Sequence, residues 1–222
     1  MPTATELAVL PATDQAYQLL YQDDALLVVN KPCQLLTVPG RHPANQDCLI
    51  SRVQQRFPTA SVVHRLDYDT SGLLVLPLTK AALSAISKQF QARTVKKRYL
   101  AVVAGLWQPQ RGRIELPIAP DAAQRPRYKI CPEGKASVTD FEVLAIDHSR
   151  QCSRLALDPV TGRSHQLRLH TAAQGHPILG DPFYAPPEIQ ALSHRLLLHA
   201  ARLEFDHPLS QQRLSFDAEP DF

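Results

Sequence analysis

No run of about 18 apolar residues occurs in this 222-residue chain, so no transmembrane helix is expected. Residues 1–14 have neither a basic start nor a long apolar stretch, and do not read as a secretory signal. Only four cysteines are present (Cys33, Cys48, Cys131 and Cys152), and none forms a C-x-x-C pair. That speaks against a disulfide framework and a thiolate zinc site; reduced thiols in a cytoplasmic protein are expected. There is no internal repeat, no glycine-rich nucleotide loop and no break in composition to mark a linker. Neither sign of charge dominates. The 24 Lys and Arg face 21 Asp and Glu, for a net charge of +3. This permits a nucleic-acid partner without requiring one. Glycine is scarce (8), whereas the 19 prolines are scattered as rigid turns rather than gathered into a low-complexity tract.

What is there is an ordinary globular balance, 44% hydrophobic and 20% charged, which excludes a wholly disordered chain. A chain of this length buries about 70% of its surface, enough for one sizeable core or two small ones. Residues 1–16 are small and polar and are expected to form a flexible N-terminus ahead of a single domain over 17–222. The apolar run at 25–30 predicts a strand ended by Lys31-Pro32. Leu49, Ile50, Val53 and Phe57 predict a short helix over 47–57. The run at 73–78 predicts a strand with Pro77 at an edge or bend. Thr79 reads as an N-cap, and Leu83, Ile86 and Phe90 at helical spacing carry the helix to about residue 92. Further strands are predicted at 98–104, 140–146, 153–157, 196–205 and 213–216. Ser164 is expected to cap a helix that Gly175 ends. Strands and helices are interspersed without β-α alternation, so the expected class is α+β with a mixed, largely antiparallel sheet.

Three segments are dense in groups that can do chemistry. His64-Arg65-Leu66-Asp67-Tyr68-Asp69-Thr70-Ser71-Gly72 is a polar loop feeding a buried strand, a usual place for a site. Asp67 and Asp69 are its candidate acids, although such a segment can equally be a turn in which Asp binds backbone N–H groups. Lys88, Arg93, Lys96, Lys97 and Arg98 precede Tyr99. They read either as cations at a helix C-terminus or as a phosphate-contacting stripe beside a stacking platform. In Gly162-Arg163-Ser164-His165-Gln166-Leu167-Arg168, His165 and Arg168 stand three apart on one helix face, with Arg168 suited to bind a carboxylate or phosphate. The spacing of His165, His170 and His176 matches no zinc pattern, so no metal is expected. Arg125, Arg127 and Lys129, between Pro120 and Pro132, read as a basic loop.

Taken together, these segments resemble the RluA family of RNA pseudouridine synthases. HRLDYDTSGLLVL (64–76) resembles the family signature. LLVVNKPCQLLTVPGR (26–41), SKQFQARTVKKRYLAVVAG (87–105), and TGRSHQLRLHTAAQGHPILGDPFY (161–184) with RLLLHA (195–200) resemble its other motifs, in order. The resemblance runs from about residue 20 to the end and leaves no room for the S4-type RNA-binding domain of larger members. It is strongest to the subgroup acting on both a 23S rRNA hairpin loop and a tRNA anticodon arm, with tRNA-only synthases next. Cys33 stands where the family often has another small residue.

The resemblance implies a single pseudouridine synthase catalytic domain of mixed, largely antiparallel sheet with flanking helices and a central cleft. It implies isomerisation of uridine to pseudouridine in structured RNA, with no cofactor and no metal. Asp67 maps to the catalytic aspartate; whether it attacks C1′ or C6, or the base leaves through a glycal, stays open. Arg168 maps to the cation that keeps it ionised. The target uridine must be flipped out. Arg65 would fill the space it leaves, Tyr99 would stack on the uracil and assist at C5, and Leu198 would line the pocket. His64, Lys96, Lys97, Arg163 and His165 complete the expected RNA-binding set, with His64 leaning towards a structural role. A monomer in the cytoplasm is expected. Two competing readings are a non-catalytic RNA-binding protein, which predicts degraded Asp67, Tyr99 or Arg168, and a metal-dependent hydrolase, disfavoured by the histidine spacing.

Overall fold

The structure is a computed structural model that describes residues 8–222. Along the chain run β1 (Gln18–Gln22), β2 (Leu26–Lys31), α1 (Leu49–Gln54), β3 (Ser71–Pro77), α2 (Lys80–Ala92) and β4 (Lys96–Ala104). Then come β5 (Arg111–Glu115), β6 (Ile118–Pro120), β7 (Tyr128–Ile130), β8 (Val138–Asp147) and β9 (Cys152–Pro159). The chain closes with α3 (Gln166–Ala173), α4 (Pro187–Gln190), β10 (Leu198–Asp206) and β11 (Arg213–Asp217). The sheet is mostly antiparallel and the helices are few. Contacts divide the chain into two compact units. The first reaches to Lys96 and adds Arg202–Glu219; the second holds Lys97–Ala201 and Pro220–Phe222.

In the first unit β1, β2 and β3 pair antiparallel, Leu26 opposite Pro77 and Lys31 opposite Gly72. Every residue of β3 is buried, which is why its sequence is a continuous apolar run rather than an alternating one. Leu26, Val28, Leu73 and Val75 share a cluster with Ile86 of α2 and with Leu203 and Phe205 of β10. Thr79 caps α2 by accepting from the Ala82 N–H, as expected, and the helix stops at Arg93 in the left-handed region. Of the stretch 1–16 expected to be flexible, residues 1–7 lie outside the described residues, and residues 8–15 are hydrogen-bonded to the first unit. Asn45 bonds both Ala8 and Leu10, Arg52 donates to the Thr13 and Gln15 carbonyls, and the Tyr68 hydroxyl donates to the Pro11 carbonyl. The partners come from 35 to 57 residues downstream, so no local pattern revealed them.

In the second unit β4, β9, β8 and β5 pair antiparallel, with Tyr99 opposite Leu157, which on its other side is opposite Phe141. Their core holds Val103, Trp107, Phe141, Leu155 and Leu157 together with Leu167 of α3 and Leu198 of β10. Trp107 packs edge-on against Phe141. Of the basic stretch read as a loop, Arg125 and Arg127 do lie in a turn, whereas Lys129 falls on β7 of a small ribbon. In it β6 pairs with β7, Ile118 opposite Ile130 and Pro120 opposite Tyr128. Three-residue strands are too short to show a period of two, which hid them. The helix expected to be capped by Ser164 begins at Gln166 instead, after His165 in the left-handed region (φ 56°) and without a side-chain cap. Its end, just before Gly175, is as expected.

Candidate active site

The segment that carries Asp67 is held by main-chain contacts within the first unit. Lys31 is fully buried at the end of β2, and its ammonium donates to the carbonyls of Pro32 (2.9 Å), Leu35 (2.6 Å) and Tyr68 (3.4 Å). The Leu35 N–H donates to the same Tyr68 carbonyl. Thr37 brackets Leu66, its hydroxyl donating to the Leu66 carbonyl and accepting from the Leu66 N–H. Leu66 is buried, whereas Arg65 before it is exposed and Asp67 after it is half-buried. Arg65 is exposed and makes no hydrogen bond or ion pair with any described residue. Burial and the neighbouring Asp69 raise the pKa of the Tyr68 phenol. His64 serves the scaffold: its Nε2 accepts from the Val75 N–H at 3.1 Å and its ring stacks on Phe90 at 4.7 Å. The structure thus brings together His64, Arg65 and Asp67 on one braced loop, with the exposed Lys96 at the end of the same unit.

The second unit carries the other candidates. Tyr99 and Leu198 pack on one apolar cluster that also holds Leu157 and Leu167. Arg168 is buried on α3 and forms a two-pronged pair with buried Asp181, Nε at 2.9 Å and Nη2 at 2.6 Å. Asp181 also accepts the N–H groups of Phe183 and Tyr184, which turns the chain around the arginine. The rings of Phe183 and Tyr184 lie 4.9 and 5.4 Å from the guanidinium carbon. A fork-on-fork pair under two aromatic rings fixes a cation in place and direction.

A buried polar network sets the start of α3. The Gln166 side-chain oxygen accepts from the Thr161 hydroxyl and the Arg163 N–H, while its amide donates to Val138 and Thr139. His170 lies between the Thr139 hydroxyl (2.9 Å) and the Leu116 carbonyl (3.1 Å), and burial lowers its pKa. Arg163 donates through Nε to the Ala136 carbonyl. His165 binds the Tyr184 hydroxyl at 2.6 Å and packs against the Tyr128, Phe183 and Tyr184 rings. The same hydroxyl accepts from the Tyr128 N–H, linking the basic ribbon to α3. His165 thus packs on the two rings that also lie over Arg168. Among the described residues no group of three or more His, Cys, Asp or Glu could hold a metal ion. Likewise, no helix among them is long and apolar enough to cross a membrane.

A family model described as RNA pseudouridylate synthase matches residues 25–173. The chain is 47% identical over 217 residues to the dual-specificity RNA pseudouridine synthase RluA of Pasteurella multocida, covering 97% of this chain and 99% of that protein. This chain belongs to the RluA family of RNA pseudouridine synthases. The RluA protein of Escherichia coli K12 is 48% identical over 207 residues, 92% of this chain and 93% of that one. The solved structure of human RNA pseudouridylate synthase domain containing 1 superposes with a TM-score of 0.80 at 31% identity, over 96% of this chain and 86% of that one. Membership makes the protein an isomerase that turns uridine into pseudouridine within RNA. Four residues that brace the candidate residues were not singled out from the sequence: Lys31, Thr37, Gln166 and Asp181. A lysine closing an apolar strand before proline, and an aspartate within Ile178-Leu179-Gly180-Asp181, were the signals available for Lys31 and Asp181.

Proposed function

We propose that this enzyme modifies a uridine in a 23S rRNA hairpin loop and another in a tRNA anticodon arm. The observation that carries this reading is 47–49% identity, over almost the whole of both chains, to relatives named dual-specificity synthases. In the reaction the N1–C1′ bond breaks, a C5–C1′ bond forms, the C5 proton leaves and N1 gains one. Asp67 acts as the nucleophile that opens the glycosidic bond. Arg65, exposed and unengaged on the braced loop, enters the gap left by the flipped base. Tyr99 stacks on the uracil, a contact of about 1–3 kcal/mol, and its phenol takes the C5 proton. Leu198 lines the base pocket, and Arg168 supplies a fixed positive charge. Lys96 and Arg163 add attraction for the RNA backbone. The enzyme works in the cytoplasm, and as a monomer, which a molecular mass measured in solution tests.

The test is tritium release from RNA labelled at C5 of uridine, since bond formation at C5 expels that hydrogen. Both a tRNA anticodon arm and a 23S rRNA hairpin release tritium with the wild type. Asp67→Ala lowers release from both by at least about a thousandfold while RNA binding persists. Release from the tRNA arm alone places the protein with tRNA-only synthases, and near-wild-type release by Asp67→Ala removes Asp67 as nucleophile.

A further inference from the structure

Lys97 and Tyr99 lie two residues apart on β4, so they share a face, while Lys96 and Arg98 point to the other. The cations on that other face are accounted for. Arg98 forms a two-pronged pair with Asp158 at 2.9 and 2.7 Å, with Glu142 at 4.0 Å, and Lys96 is exposed to water. Lys97 has neither arrangement. Its side chain is half-buried, and its ammonium makes no hydrogen bond or ion pair with any described residue. Burial alone lowers its pKa. Lys31 shows how this fold satisfies a structural buried lysine, with three carbonyl acceptors. A desolvated charge left without such partners costs free energy until an anion arrives.

The space beside the ammonium is open on one side. A Cβ built on Gly162 would stand 3.8 Å from the Lys97 Nζ and meet no other heavy atom within 4 Å beyond its own chain neighbours. Gly162 is itself exposed, and the next residue is Arg163, a second cation. A ligand can therefore reach the ammonium past a bare stretch of backbone. Two residues along a strand span about 7 Å, comparable with the reach from a pyrimidine ring to the phosphate of the same nucleotide.

We propose that Lys97 grips the backbone phosphate of the target nucleotide, locking the flipped unit at its phosphate while Tyr99 holds it at its base. This rests on the reading of Tyr99 as the stacking platform. Lys97 is a positioning residue: it touches the substrate backbone and takes no part in bond exchange. Gly162 keeps the approach clear.

The test combines Lys97→Met with hairpin RNAs in which one phosphate at a time is a neutral methylphosphonate. Lys97→Met weakens RNA binding about tenfold and lowers the slope of log Kd against log salt by about 0.7–0.9. Its single-turnover rate at saturating RNA stays within about threefold, and its melting temperature does not fall, because an uncompensated charge has been removed. Neutralising the target nucleotide's own 5′ phosphate weakens wild-type binding equally and adds nothing in Lys97→Met. Additive losses, an unchanged salt slope or coupling to a phosphate of another nucleotide overturn the assignment. A lower melting temperature with unchanged binding makes Lys97 structural and also overturns it. Failure of the Tyr99 reading appears separately, as near-wild-type turnover in Tyr99→Ala.

Discussion

The two units fix their functional residues by opposite means. In the first, the segment around Asp67 is held through its main chain, by Lys31 and Thr37, and the side chain of Arg65 is left exposed. In the second, the functional group is itself the thing held: Arg168 is locked through its guanidinium by Asp181 and two aromatic rings. Bracing the backbone sets where a loop runs while its side chains stay free to meet a substrate. Locking the charged head leaves it no freedom, and water cannot reach it to weaken its field. The role proposed for Arg65, a wedge entering RNA, needs the first arrangement. The role proposed for Arg168, a charge in place before substrate arrives, needs the second.

The sharpest way to break the contrast is Asp181→Ala. Removing one partner of a buried pair leaves the other charge stranded, at about 3–5 kcal/mol, which denaturant unfolding measures. Lys31→Met removes a donor from three carbonyls, at about 1–3 kcal/mol. Its turnover falls further than its stability predicts, because the Tyr68 carbonyl beside Asp67 loses its anchor. The network behind α3 gives a smaller, pH-dependent effect. The folded-state pKa of His170 is lowered, so the unfolded chain binds the proton more readily. Its contribution is present above the unfolded value of about 6.5 and is lost as pH falls below it, by up to about 1.4 kcal/mol per unit. In His170→Gln the stability–pH curve is flatter below that point. Smallest of all is Arg65→Ala, which changes stability by less than about 0.5 kcal/mol. It slows turnover more on a structured hairpin than on an unstructured strand, and equal losses on both remove Arg65 as the wedge.

The legible parts of the fold were those whose reason is local. Buried β3 reads as an apolar run, and α2 shows its cap and its apolar spacing in consecutive residues. β1, β5 and the β6–β7 ribbon are short, with exposed residues, and gave no period to read. The start of α3 was misread because its order comes from Gln166 binding Val138 and Thr139, 28 and 27 residues away, rather than from Ser164. The candidates Asp67, Tyr99 and Arg168 were named by their motifs. The residues that hold them were not, because an anchor is defined by its partner. The carbonyl that Lys31 meets on Tyr68 lies 37 residues on.

The strap formed by residues 8–15 has a consequence in time. Its bonds to Asn45 and Arg52 span 35 to 39 residues, and the one from Tyr68 to Pro11 spans 57. A chain emerges from the ribosome N-terminus first, so this stretch leaves early and must wait for residues made later before it can dock. Its closure carries a loop entropy that only the arriving core of the first unit offsets. This stretch therefore settles only once the chain has run on to Tyr68, and its settling coincides with the ordering of the residue next to Asp67.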